Sequence, residues 1–156
     1  MGAFDLDPEQ VRSGIVGQVQ PDGGVDSLYL FVNRKLIRED TDLVQFKGQQ
    51  LAIELLIAQS KNSARFQEVI ITKLKDFTEH CLRLNSDLSK APLQLYSQSL
   101  LDVVERFHII YKTALSFRPS LSIRYYYASL GEQVEKNVEL RRDLLLEKCR
   151  EPLFNC

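Results

Sequence analysis

No run of apolar residues in this sequence approaches the ~20 needed to cross a bilayer as a helix, so stable membrane insertion is not expected. A surplus of positive charge is also missing, because 20 Lys and Arg face 21 Asp and Glu for a formal charge of -1. Proteins that displace phosphate counterions ordinarily carry excess cations, and nucleic acid is therefore not an expected partner. Cysteine is scarce: Cys81, Cys149 and Cys156 form neither an even framework nor a CxxC pair. Reduced thiols in a cytoplasmic or nuclear setting follow. Tryptophan is absent and there are only 7 Gly and 5 Pro, yet 44% of the 156 residues are hydrophobic. That excludes a disordered chain and suffices for one hydrophobic core.

The recognition signals of lipidation and export are lacking too. Met1 to Leu6 contains no basic stretch leading into an apolar segment, and Leu6 stands where myristoylation wants Ser or Thr. Cys156 is the last residue, whereas prenylation needs a Cys fourth from the end. Nor is there a Gly-rich phosphate loop, a GxSxG elbow, an HExxH pair or an acidic calcium loop. A metal set drawn from His80, Cys81, His108 and Cys149 meets a geometric objection, since neighbours on a helix point about 100° apart. No catalytic, cofactor-binding or metal-binding residue is named by the sequence, and a non-enzyme is expected.

What is present reads mainly as helix. Residues 1–24 hold five of the seven glycines and form a flexible or weakly helical segment, in which Asp7, Pro8 and Gln10 spell a capped helix start. The apolar run within 25–37 suits strand or helix by periodicity alone. Asp26 or Ser27 as a cap, the cations after Asn33, and the want of a second strand to pair with all favour helix. Four stronger segments follow, at 41–61, 63–84, 91–117 and 120–150. Phe66, Ile70, Leu74, Phe77, Cys81 and Leu84 repeat at close to the helical period, as do Leu93, Tyr96, Leu100, Val104, Phe107, Tyr111 and Ala114. Ile123, Tyr127, Leu130, Val134, Val138, Leu145 and Cys149 give the last segment one apolar face, with Glu132 and Lys136 as a favourable pair on the other.

The links between these segments are too short for long crossovers, which predicts an all-α antiparallel helical bundle or short stack. It comprises four long helices plus one or two short N-terminal ones, in a single domain over 25–152 with a frayed tail at 153–156. Two surfaces stand out as candidate protein-interaction sites. Arg124, Tyr125 and Tyr126 belong to a run of three tyrosines that cannot all face one core of a helix, and Tyr beside Arg is enriched at interfaces. Leu140, Leu144 and Leu146 lie off the main face of the last segment, where apolar side chains meet a partner. The expected function is a non-catalytic scaffold or adaptor domain that binds another protein or a second copy of itself. The alternative is a bundle enclosing a small apolar ligand or lipid between the broad faces of 43–58 and 93–117. On the first reading, charge substitutions at Leu144 and Leu146 leave the fold intact and abolish association, as measured by sedimentation equilibrium or by pull-down.

Overall fold

A computed structural model of the chain describes residues 5–17, 23–90 and 95–150. In chain order these form α1 (Pro8–Ser13), β1 (Ser27–Val32), β2 (Lys35–Leu36), β3 (Ala52–Lys61), α2 (Glu68–Phe77), α3 (Gln98–Ala114), β4 (Ser120–Ser129) and α4 (Lys136–Arg150). The fold is therefore mixed α/β, with a four-stranded sheet in the order β2-β1-β3-β4, and the expected all-α bundle is not formed. Parts of the expected N-terminal segment, 1–4 and 18–22, the start of the expected helix 91–117, at 91–94, and the tail 153–156 lie outside the described residues, as does the side chain of Cys149.

Three segments expected to be helical are strands, each for a physical reason. In 25–37, Asn33 and Arg34 adopt φ of 50° and 68°, the left-handed pair that a two-residue hairpin turn demands. Asn tolerates this conformation well. The Asn33 side chain also accepts the Ala52 N–H at 2.9 Å, which fixes β1 against β3. What looked like a cationic helix end is the turn joining Val32 to Lys35. β1 is buried on both faces because it sits inside the sheet, so it carries a continuous apolar run rather than an alternating one.

In 41–61 only Leu43–Phe46 is helical, as one 3-10 turn capped by Asp42. The rest is β3, whose Ile53, Leu55, Ile57 and Gln59 are buried while the residues between them are half-buried or exposed. This period of two was hidden inside an apolar run that spans both faces. β3 pairs antiparallel with β1, Ser27 opposite Ala58 through Val32 opposite Ile53. On its other side it pairs parallel with β4, Ala52 opposite Ser120 through Lys61 opposite Ser129.

The segment 120–150 breaks in two. Ser120–Ser129 is strand and α4 starts only at Lys136, so the helical spacing read across both was a coincidence of two elements. Glu132 precedes α4 and is not one helical turn from Lys136. Ile123 and the three consecutive tyrosines are residue types a pleated surface favours.

The helices that were legible are α1, α2 and α3. Asp7 accepts the Gln10 N–H at 2.8 Å while the Gln10 side chain accepts the Asp7 N–H at 3.0 Å, closing the capping box of α1. α2 buries Ile70, Ile71, Leu74 and Phe77 and runs on through a π-helical turn, Thr78–Leu82. α3 is capped by Ser97 and buries Leu100, Val104, Phe107, Ile110 and Ala114. A 3-10 turn, Leu115–Phe117, carries the chain from its end to Arg118-Pro119, where the helical path stops. Both helices belong to the crossover that a parallel pair of strands requires, and with the face of the sheet carrying Leu28, Leu30, Ile53, Leu55 and Ile57 they enclose the core. At the far side of β1, the Tyr29 ring occupies the space a side chain at Gly14 would need, 2.0 Å from the position of its Cβ.

Leu55 is fully buried, so Leu55→Ala will lower the unfolding free energy by about 2–5 kcal/mol. Leu144 is exposed on α4, and Leu144→Ala will change it by less than about 0.5 kcal/mol. Urea unfolding followed by circular dichroism reads both.

Candidate functional site

β4 is a ten-residue strand at the edge of the sheet, and among the described residues no strand pairs with its outer side. The Ser120 N–H donates to the Leu51 carbonyl at 2.9 Å, toward β3. By the two-residue repeat of a strand, the even-numbered residues of β4 turn their backbone to β3 and the odd-numbered ones turn theirs outward. Leu121, Ile123 and Tyr127 thus present N–H and C=O groups along the rim. Their side chains share the core face with Tyr125, opposite Ile53, Leu55, Gln59 and Ile57 in register. They are only half-buried, whereas their partners on β3 are covered.

Beside this rim runs a groove of about 570 Å³. Ile123, Tyr125 and Tyr127 of β4 line it together with Phe66, Ile71 and Leu74 from the α2 region and Val134, Val138, Leu145 and Leu146 from the α4 region. α4 packs on α2, burying only Val138 and Leu145 among its described side chains, and Arg141 binds Glu68 of α2 at 3.4 Å. Val134 and Leu146 remain exposed at the groove, and Arg142, which binds Asp143 at 3.0 Å, completes its lining.

The three tyrosines are divided by the strand's alternation rather than fanned out at helical angles. Tyr125 faces inward, its hydroxyl bonded to that of the buried Thr78 in the π-turn. The Tyr127 hydroxyl accepts the Gln67 N–H at 2.9 Å, and its ring meets Phe66 edge to face at 5.1 Å. These contacts fasten β4 to both ends of α2. Tyr126 points to the opposite face of the sheet and is 49% exposed. Arg124 shares that face and pairs with Glu54 of β3 at 3.4 Å.

Of the residues singled out by sequence, Tyr125 and Leu146 line the groove, while Arg124 and Tyr126 border it from alternate strand positions with their side chains on the opposite face of the sheet. Leu140 and Leu144 are exposed on α4 but outside the groove. Phe66, Leu74 and Val134 were read as ordinary stripe residues and Ile71 was not singled out, and only their placement around an open strand edge sets them apart. Of the two helical faces proposed to enclose an apolar ligand, the one in 93–117 is largely α3, but the one in 43–58 is not formed. In 43–58 the apolar residues Ile53, Leu55 and Ile57 belong to a strand and pack into the core with Leu100, Val104 and Phe107 of α3.

Polar chemistry away from the groove is sparse. Among the described residues no three His, Cys, Asp or Glu side chains gather as a metal set, and no helix is long and apolar enough to cross a membrane. Burial pushes the Cys81 thiol up to about 12, which leaves it neutral and inert. His80 is exposed, with Nδ1 2.9 Å from the Tyr96 hydroxyl. His108 is 5% exposed, because α3 packs that side against the π-turn. Its Nε2 has no hydrogen-bond partner.

The chain matches no family model, no curated protein and no solved structure.

Burial, aided by the charge of Lys112, holds the His108 imidazole below its usual 6.5 against the opposing pull of the Cys81 and Leu82 carbonyls. On acidification the unfolded chain takes up this proton first, so the stability His108 confers is complete above its unfolded value and declines as pH falls below it. The urea midpoint will drop as pH falls below the ordinary imidazole value of 6.5, and His108→Gln will make that drop shallower.

Proposed function

We propose that this chain is a non-catalytic interaction domain whose partner is a protein, and that the partner lays an extended segment along the outer edge of β4. The observation that carries this reading is a ten-residue edge strand, paired without a bulge on its inner side, lying beside an apolar groove. Exposed edges template the addition of further strands, and proteins normally blunt them with Lys, Pro, bulges or a short edge. β4 has none of these, Arg124 being its one charge and already paired with Glu54. In strand addition, backbone hydrogen bonds supply affinity and pockets for alternate side chains supply specificity. Here the outward backbone groups belong to the same residues whose side chains border the groove, so both needs are met along one line. A second copy of this chain would use the same edge.

Ile123 turns its N–H outward, so Ile123→Pro removes a donor from the rim without breaking a bond to β3, as edge positions tolerate. Peptides selected against the full chain from a random-sequence display library will carry apolar residues at alternate positions and perturb the amide resonances of Leu121, Ile123 and Tyr127. Ile123→Pro and Leu146→Glu, both with native circular dichroism, will weaken them roughly tenfold or more, about 1.4 kcal/mol. Peptides that bind both variants as tightly as the parent chain would overturn the assignment.

A further inference from the structure

A second cavity, of about 420 Å³, lies at the opposite edge of the sheet, between the end of α1, the β1–β2 region and α3. Its volume is in the range that holds small molecules. Leu28, Ile37 and Val103 provide an apolar floor, and charged side chains stand around it. Arg38 is committed, binding Glu9 at 3.1 Å and Asp40 at 3.9 Å.

The charges on α3 are not committed to each other. Asp102 and Arg106 are an acid and a base four residues apart in the order that favours a helical ion pair, yet they do not pair. Asp102 accepts instead from the Gln98 amide at 2.8 Å. Arg106 has its Nε buried with no hydrogen-bond partner, and its guanidinium makes no contact with an acid among the described residues. That nitrogen is closed off, but the terminal NH2 groups of the fork are not buried and have no acid among the described residues to meet, and a guanidinium matches a carboxylate in two bonds. Asp102, held by the Gln98 amide, and the rim residue Glu39 pair with no cation among the described residues, so the lining disfavours a bare anion, while Arg106 disfavours a bare cation.

We propose that this cavity binds a small zwitterion with an apolar side chain, a free apolar α-amino acid being the simplest case. Its carboxylate meets the Arg106 guanidinium, its ammonium meets Asp102, and its side chain lies on Leu28, Ile37 and Val103. This is a site separate from the β4 edge and does not depend on it.

The test is calorimetric titration of the full chain with leucine and with phenylalanine. Isocaproate, which lacks the ammonium, and isoamylamine, which lacks the carboxylate, serve as comparison ligands. One or both amino acids will bind and raise the unfolding temperature. The two comparison ligands will bind at least about tenfold more weakly, and Arg106→Gln and Asp102→Asn will each cost a similar factor. Absence of binding by both amino acids, isocaproate binding as tightly as leucine, or full affinity in Arg106→Gln would each overturn the proposal. Should Arg106→Gln not fold, Arg106→Lys keeps the charge and removes the planar fork, and unchanged affinity in that variant counts against the site equally.

Discussion

The parallel pairing of β3 with β4 is the constraint on which the rest of this structure depends. Antiparallel neighbours can be joined by two residues, as β1 and β2 are, but parallel neighbours need a crossover long enough to return the chain to its starting end. Residues 62–119 supply it. That requirement places α2 and α3 over one face of the sheet, where Phe77, Leu100, Val104 and Phe107 close the core against Leu28, Leu55 and Ile57. It also leaves β4 outermost. The chain then turns back so that α4 rests on α2 rather than over β4, and the gap between helix and strand is the groove.

The two edges of the sheet are treated differently. At the first, β2 is two residues long, and the segment after α1 runs alongside β1, with the Leu28 N–H bonded to Gly14 at 2.8 Å. A short edge strand covered by neighbouring backbone offers little to another chain. At the second edge, ten residues remain with their odd-numbered backbone turned outward and their side chains half-covered. Tyr125 and Tyr127 show that this strand is nonetheless held firmly, since their hydroxyls reach Thr78 and Gln67. A rigid edge spends little ordering entropy when a partner pairs with it, and this agrees with a binding role better than with a loose terminus.

Sequence reasoning reached the helices whose apolar residues recur at the helical period without interruption. The stripe of Phe66, Ile70, Leu74, Phe77 and Cys81 maps onto α2 and its π-turn, and the one through Leu100, Val104 and Phe107 onto α3. It failed at strands for two separate reasons. Around Leu51–Ala58 and Leu28–Val32 the apolar residues are contiguous, and a contiguous run carries no period from which to choose. Around Ile123–Tyr127, a spacing of four fits a strand as well as a helix, because four is an even number. Asn33-Arg34 was the overlooked signal, a two-residue turn between apolar runs, and it would have supplied β1 with its first partner. The candidate surface was half legible. Arg124, Tyr125, Tyr126 and Leu146 were chosen for their composition, but the groove that Tyr125 and Leu146 line depends on the crossover, which no local pattern encodes.

The long crossover also sets the order in which this chain can be assembled. β1, β2 and β3 are contiguous and can meet early, whereas β3 gains its second neighbour only after the whole of 62–119 has been made and folded back. Until then Ile53, Leu55 and Ile57 belong to an unfinished margin rather than to the middle of a sheet. A ribosome that pauses before Ser120 holds a nascent chain with β3 unpaired along one side, the kind of intermediate that chaperones engage. Truncation before that point does not yield a smaller version of this domain; it exposes its interior.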